Sequence, residues 1–595
     1  MILDTQPTLA VPARTTIFRR RIKSLTHEMA RILYRTTRSP LFNQGDFAVG
    51  FLDPRGRMVE QKDHLPLLAL SLYPGCQYLI DFFGDEIYDG DVFIHNDVWC
   101  NNLQHADTGF YKPIFIDGRL VAWTACRGHW ADIGGAVKGT CNPEAVEVYQ
   151  EALRIPPVKV WERGKLRRDV WEFLFANVRM RELVEADAQA QLGSCILGER
   201  RLRELIARDS VEGFLAGVER LYEATERMVR SEIRKIPDGR YHGESTVYHD
   251  RLSELSTSRI CVDVIVDGDE ITFDYTGTDP QTLSFVNAPY TSAASATVVT
   301  LLYLLSPHIP LNDGLFRPVH INIPKGTILN AQFPAATFMG NKLCEHNSEA
   351  IMLALAEALP QRITAPWGRR LSYRATGRDP RNGLPCHDVL FMTYEGGGAT
   401  HGVDGYNQPG LMGGGNVLSQ DYEVFEIQNP IHLLEHEYVT DSGGPGQWRG
   451  GLGTRTRLRY YGEETNGVLQ GDGTIAPPSG VLGGSPGSLN RVEIQFPDGR
   501  EQTPHAQEIV PHLPPGTTSV HYGAGGGGFG SPLERTVEAV VADVRNGFVS
   551  PTAAAEVYGV VLSADGWDAD VTATAQRRAQ MQEASQQAAA GDQSA

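Results

Sequence analysis

No two of the eight cysteines (Cys76, Cys100, Cys126, Cys141, Cys195, Cys261, Cys344 and Cys386) stand at C-x-x-C spacing. A chain of 595 residues can bury enough apolar surface to fold without covalent staples, so reduced thiols are expected. Long hydrophobic runs are missing as well. The most apolar stretch, SAASATVVTLLYLL (292–305), is too short and too rich in hydroxyls to cross a bilayer, and reads as a buried helix. Positive charge is in short supply: 54 Lys and Arg against 72 Asp and Glu leave a net charge of −18. That balance argues against nucleic acid or an anionic membrane as the main partner. The opening MILDTQPTLAVPARTT holds no apolar core behind a positive segment, so a secretory signal is not expected and the reading is cytoplasmic. No G-x-x-x-x-G-K-[ST] loop occurs, and GAGGGGFG (523–530) has no lysine and opens no βαβ unit. It is expected to be a close-packed backbone turn, with ATP bound elsewhere.

What the chain does have is the composition of an ordinary globular protein, 41% hydrophobic and 21% charged, with 62 glycines. Its length calls for about two to four domains. Phe18, Ile22, Leu25, Met29, Ile32 and Leu33 step by three and four and predict an amphipathic helix over about 15–37, stopped at Ser39-Pro40. DFAVGFLDPRGRMVE (46–60) predicts two strands around the turn 53–56, and DVFIH (91–95), PIFI (113–116) and LVAWTAC (120–126) predict three more. From about 145 to 235 the pattern reads as helical, and 259–278 reads as a hairpin around Asp267-Gly268. Residues 390–530 are Gly-rich with short strands, and the Gln/Ala-rich tail after 577 reads as a short helix that frays. The expected fold is mixed α+β. It comprises an N-terminal α/β and helical region (1–240), a central α/β region (241–385), a β-rich region (386–535) and a C-terminal helical segment (536–595).

Chemistry concentrates in HNDVWCNNLQHAD (95–107), a polar loop after a strand, and in GHWADIGG (128–135) after the strand LVAWTAC. Polar clusters of this density are costly to bury unless each member finds a partner, a metal or a substrate. His129 and Asp132, three apart, can meet Asp107 across neighbouring strands, and such residues suit Zn²⁺, Mn²⁺ or Fe²⁺. The same residues also serve as loop caps, with aspartates accepting from backbone amides. His105 and Asp97 belong to the first cluster. Asn341 follows Gly340, and His346 stands between Glu345 and Asn347; all are candidates for lining a pocket, with a surface or core role as the alternative. Asp187 and Gln191, four apart on a helix, could face the same cleft or be a surface pair. Cys100 and Cys126 flank the cluster without a base to make either a nucleophile.

GDVFIHNDVW (90–99), GHWADIGG (128–135), ANVRMRELVEADAQAQL (176–192), FDYTGTDPQ (273–281), VNAP (286–289) and PLNDGLFRPVHINIPKGTILN (310–330) run in a recognisable order. Gly340-Asn341, DSGGPGQWRGGLG (441–453), GAGGGGFGSPLER (523–535) and YGVVL (558–562) continue it. Together they resemble the B-type chain of ATP-dependent hydantoinases and its relatives in 5-oxoprolinase, caprolactamase, and the acetone and acetophenone carboxylases. The resemblance implies a partner subunit of hydantoinase A type and kinase-like fold. That partner binds ATP and Mg and phosphorylates the substrate's carbonyl oxygen, and this chain processes the product. It implies metal ligands at Asp46, Asp107 and His129, with a fourth, normally histidine, falling on Gln104. An amide oxygen is a poor ligand for a borderline-soft cation. The expectation is therefore a weak or absent Zn or Mn site, unless His105 swings in. Hydrolysis of a phosphorylated lactam or hydantoin needs a metal-activated water, whereas carboxylation of an enolate needs a dry pocket and anion-stabilising donors. The departure at Gln104 points to a ketone carboxylase of the acetophenone type, acting with bicarbonate on a small ketone. A cyclic amide hydrolase subunit is the alternative, and a non-catalytic scaffold a further one. Asp107, His129, Asp132 and His105 are the catalytic candidates, and Asp97, Gln104, Asn341 and His346 the substrate-binding ones.

Overall fold

The computed structural model describes residues 13–592, except 64, 140, 252–253, 391–392, 415–418 and 420. Its N-terminal part is a seven-stranded antiparallel sheet built from β1 (Phe47–Leu52), β2 (Met58–Asp63), β3 (Val92–His95), β4 (Asp107–Ile116), β5 (Arg119–His129), β6 (Val158–Glu162) and β7 (Lys165–Leu166). Their order is β2-β1-β5-β4-β3-β6-β7. β4 and β5 form a hairpin through Asp117 (φ 50°) and Gly118 (φ 78°), the pair of left-handed residues that a two-residue Asp-Gly turn requires.

Helices cover both faces of the sheet. Phe18, Ile22, Met29 and Leu33 of α1 (Ala13–Thr36) are buried with Val49 and Phe51 of β1. The intervening Ala48 and Leu52 join Leu79 of α3 (Tyr73–Phe83) and Trp123 on the other face. The short α2 (Pro40–Asn43) leads into β1. After α4 (Arg168–Ala176), two long helices follow, α5 (Arg181–Asp209) against β4 and β5, and α6 (Val211–Ile233). The helical reading of 145–235 is thus corrected at its start: VKVWERGKL folds as β6 and β7 around Arg163 (φ 48°) and Gly164 (φ 79°). The alternating Val158, Val160 and the Arg-Gly turn favour a hairpin, and β6 completes its hydrogen bonding on β3.

A second sheet, ordered β11-β10-β9-β8, holds β8 (Gly239–Arg251), β9 (Glu254–Asp267), β10 (Glu270–Asp274) and β11 (Val319–Asn322). The turn at Asp267-Gly268 is where the sequence placed it, while β8 was not foreseen. The run 292–305 is the heart of α7 (Tyr290–Leu304), buried along nearly its whole length. It packs on α9 (Gly340–Ala354), and the small α8 (Asp313–Phe316) contacts α6.

The C-terminal part contains two further sheets. One has β12 (Leu371–Arg378), β13 (Pro385–Asp388), β16 (Glu463–Gly471) and β19 (Glu508–Leu513) in the order β13-β12-β16-β19. The other has β14 (Ile431–Tyr438), β15 (Thr454–Tyr460), β17 (Arg491–Gln495), β18 (Glu501–Gln502) and β20 (Thr518–Tyr522), with α10 (Tyr422–Gln428) beside β14. Leu371, Tyr373, Leu458, Leu469 and Ile494 close a core between the two sheets. Side chains alternate along a strand, so Ser372, Arg374 and Thr376 of β12 lie on its other face, and they too are buried. Gly525–Gly528 thread between backbones so closely that a Cβ on Gly526 would stand 2.1 Å from the carbonyl oxygen of Gly397. This glycine run is close-packed main chain. Three helices, α11 (Val537–Arg545), α12 (Pro551–Glu556) and α13 (Val571–Asp592), end the described chain. All eight cysteines are free, and among the described residues no helix is long and apolar enough to cross a membrane.

Candidate metal centre

The site is set by the register of one hairpin. A bulge between Ile114 and Phe115 shifts the β4–β5 pairing by one residue, so that Asp107, the first residue of β4, stands opposite His129, the last of β5. Without that bulge Asp107 would face Gly128, and its carboxylate would meet no imidazole. β1 pairs with β5 on the other side, Phe47 opposite Gly128, and His129 N–H donates to the carbonyl of Asp46 at 3.2 Å. Three strand ends thereby place two carboxylates and an imidazole together.

His129 Nδ1 is 3.1 Å from Asp107 Oδ1 and 3.8 Å from Asp46 Oδ2. Among the described residues this is the one group of three or more His, Cys, Asp or Glu side chains whose donor atoms all lie within 4.8 Å of one another. All three are buried, and Asp46 Oδ1, Asp107 Oδ2 and His129 Nε2 have no hydrogen-bond partner. Burial raises the Asp46 carboxyl to about 6; the charge of Asp107 adds to the rise, while His129 and Arg374 oppose it. Two ligands sharing a tetrahedral Zn²⁺ with bonds of about 2.0–2.2 Å sit roughly 3.3–3.5 Å apart, so the donor set fits a divalent cation and leaves coordination positions for water or substrate.

The structure assigns the neighbouring candidates other partners. Gln104 donates from Nε2 to the carbonyl of Phe338 (3.1 Å) and accepts at Oε1 from Asn341 Nδ2 (3.0 Å). His105 stands 3.8 Å from Asp97 through Nε2, packs its ring on Trp99, and is not in the group of three. Asp97 accepts from Trp99 N–H and from Arg154 Nη2 at 2.7 Å. Although burial works against it, these bonds and His105 bring its carboxyl down to about 2. Asp132 accepts from the backbone of Gly134 and Arg179 and pairs with the Arg179 guanidinium, so it caps its loop. His346 bridges Ser245 and Asp472 (2.9 and 3.1 Å), tying α9 to β8 and to the residue after β16. Burial pushes the Cys100 thiol up to about 11 and holds the Cys126 thiol well above its usual range, which leaves neither suited to nucleophilic attack.

Asp187 and Gln191 brace the site. Asp187 accepts from the Thr37 hydroxyl and from the amides of Arg38 and Ser39, ahead of α2. Gln191 accepts from Trp130 Nε1 at 2.8 Å and donates to the carbonyl of Thr108 at 2.9 Å. One side chain therefore fixes the residue after His129 and the residue after Asp107. Gln191→Leu leaves a buried N–H and a buried carbonyl unmatched, at about 1–3 kcal/mol each. A lower thermal midpoint and weaker retention of divalent cation are expected together, measured by calorimetry and by elemental analysis after dialysis. An unchanged midpoint with full metal retention would refute the bracing role.

Sequence reasoning missed several residues at this place. Glu151 accepts from the amides of Thr337 and Phe338 and holds the loop that carries Gln104's partner; burial pushes its carboxyl up to about 8 despite those two donors. Arg374 and His387 come from β12 and β13, hundreds of residues away from Asp46, yet Arg374 acts on Asp46 and His129 acts on His387. The sequence signal for them was only a polar alternation in β12, which reads equally well as a solvated face.

Similar sequences and the same fold recur in known proteins. A family model described as Hydantoinase B/oxoprolinase matches residues 11–532. The beta chain of the caprolactamase of Pseudomonas jessenii is 36% identical over 96% of this chain and 99% of its own length. The B chain of a putative D-/L-hydantoinase of Pseudomonas sp. (strain NS671) is 30% identical over 90% of this chain and 92% of its own. The delta chain of the acetophenone carboxylase of Aromatoleum aromaticum is 24% identical over 96% of this chain and 89% of its own. Among solved structures, the ATP-dependent caprolactamase of Pseudomonas jessenii superposes with a TM-score of 0.88 at 35% identity, covering 96% of this chain and all of that one. A nucleotide-free acetone carboxylase shares the fold, with a TM-score of 0.88 at 20% identity over 96% of this chain and 83% of that one.

Proposed function

This chain belongs to the hydantoinase B/oxoprolinase family, and from that premise we propose that it is the hydrolytic subunit of an ATP-dependent complex that opens a cyclic amide. The observation that carries the reading is the 36% identity to a caprolactamase chain along essentially the whole of both sequences. The preassembled Asp46–Asp107–His129 centre agrees with it. Asp46, Asp107 and His129 would hold a divalent cation, which when bound lowers the pKa of water toward neutrality and polarises a carbonyl. Asp107 and His129 fix the centre through the paired ends of β4 and β5. Asp46, whose Oδ1 has no partner, is placed to accept a proton from the attacking water at that oxygen and return it to the leaving nitrogen. ATP and Mg are assigned to a kinase-fold partner of hydantoinase A type. The caprolactamase relative is ATP-dependent, and the chain it shares with this protein is only its beta component.

Carboxylation of a small ketone with bicarbonate is the second reading, favoured by Gln104 in place of a fourth imidazole-type ligand and by the likeness to an acetophenone carboxylase chain. The two readings separate in one assay. The chain, co-purified with its kinase-like partner, is given ATP with ε-caprolactam, hydantoins or 5-oxoproline, and in parallel acetone or acetophenone with ¹³C-bicarbonate. ATP-dependent ring opening is the expected result. Label fixed into a β-keto acid with no ring opening would replace the first reading by the second.

A further inference from the structure

Antiparallel pairing of β12 and β13 sets Thr376 opposite His387, so Arg374, Thr376 and His387 share one face. That face is turned away from the C-terminal core and is buried: Arg374 is 5% exposed, His387 7%. Arg374 has no carboxylate within ion-pair distance among the described residues. Its Nη1 reaches the carbonyl of Gly139 at 3.5 Å, its plane lies 5.3 Å from the centre of the Phe338 ring, and its Nε has no partner. Neither ring nitrogen of His387 has a partner, and the ring lies against Gly139, where a Cβ would come within 2.7 Å of it. The side chain of Lys342 of α9, 8% exposed as a residue, has no hydrogen bond or ion pair among the described residues. Its neighbours Glu345 and Glu395 face Arg370 as well, and Arg370 pairs with Glu395 at 3.5 Å.

The balance of buried charge isolates Arg374. Glu345 and Glu395 balance Lys342 and Arg370, and a divalent cation in the metal centre would neutralise Asp46 and Asp107. Arg374 then remains a buried cation with unused donors, which is expensive unless an anion completes it. A guanidinium presents its donors in a planar fork that matches two oxygens of a carboxylate or phosphoryl group. We propose that Arg374, with His387 on the same face and Lys342 contributed by α9, forms a seat for the oxyanion of a ligand, carboxylate or phosphoryl, held against the Asp46–Asp107–His129 centre. The inference rests on the reading that this centre is where the reaction takes place. Burial and the charge of Arg374 keep His387 neutral, so it offers one N–H to the oxyanion. Burial and Arg370 bring the Lys342 ammonium down to about 7, against the pull of Glu345 and Glu395, so an arriving anion would restore its proton.

The test is binding, not turnover. The purified full chain is titrated calorimetrically with inorganic phosphate and, separately, with acetate, in a chloride buffer. Saturable one-site binding of at least one is expected, weakened about tenfold or more by Arg374→Gln and severalfold by His387→Asn, with part of the loss recovered in Arg374→Lys. Whichever anion binds more tightly identifies the source of the oxyanion. If Arg374→Gln does not fold, His387→Asn and Lys342→Met carry the comparison. Failure of both anions to bind the wild-type chain would overturn the seat. So would wild-type affinity in variants that remain folded by circular dichroism. Absence of amide opening alongside Arg374-dependent binding would instead count against the proposed reaction and leave the seat standing.

Discussion

Asp107→Asn and His129→Ala are each expected to lower turnover of the assembled complex by about 10²–10⁴-fold, the range that loss of a proton-transfer or metal-holding group produces. The two residues face each other across the ends of β4 and β5, with the carboxylate and imidazole 3.1 Å apart. Asp107 also neighbours Asp46, whose carboxyl burial and that same charge hold near 6. Removing the Asp107 charge lets Asp46 ionise more readily but removes one of three donors, so metal content should fall in parallel with rate. The folded state should survive, because the neighbouring backbone bonds of β4 and β5 do not depend on either side chain. Turnover at the wild-type rate, in a complex that still assembles and melts normally, would mean that chemistry occurs elsewhere and that this chain is a scaffold.

Gln104→His should raise the affinity for Zn²⁺ or Mn²⁺ by about 10–100-fold, the scale on which even partners one shell removed from a metal act. In the present chain, the Gln104 amide is occupied on both sides, by the Phe338 carbonyl and by Asn341. Those bonds hold it to the loop that Glu151 anchors, and a neutral amide oxygen adds little to a borderline-soft cation. An imidazole gives up one of the bonds, at about 1–3 kcal/mol for the group left unmatched. The variant should therefore melt earlier without metal and recover when metal is added. His105→Ala should change metal content little, since His105 leans on Trp99 and Asp97. Elemental analysis of the three proteins after identical dialysis decides the matter. Stoichiometric metal in the wild type that vanishes in His105→Ala would show that His105, not Gln104, completes the centre.

The sequence by itself determined the local pieces and their chemistry. The stripe from Phe18 to Leu33 produced α1, the Asp117-Gly118 and Asp267-Gly268 turns produced their hairpins, and the hydroxyl-rich run 292–305 produced a buried helix. Those features rest on periodicity and turn conformations that operate within a few residues. Resemblance carried Asp46, Asp107 and His129 to one centre, and the structure places their donor atoms together. Asp132 and His346 had the right residue types, but tertiary neighbours, Arg179 in one case and Ser245 with Asp472 in the other, claim their polar atoms. The start of the 145–235 segment looked helical because its apolar spacing is ambiguous over so short a run, and the edge of β3 settled it as strand. Tertiary structure alone decided that the polar face of β12 is buried. Alternation tells a strand which side chains share a face, but whether that face meets water or another domain depends on packing between residues hundreds of positions apart. Here the face is buried, and Arg374 feels the charges of Asp46 and Asp107, so it is not the solvated face that alternation alone suggests.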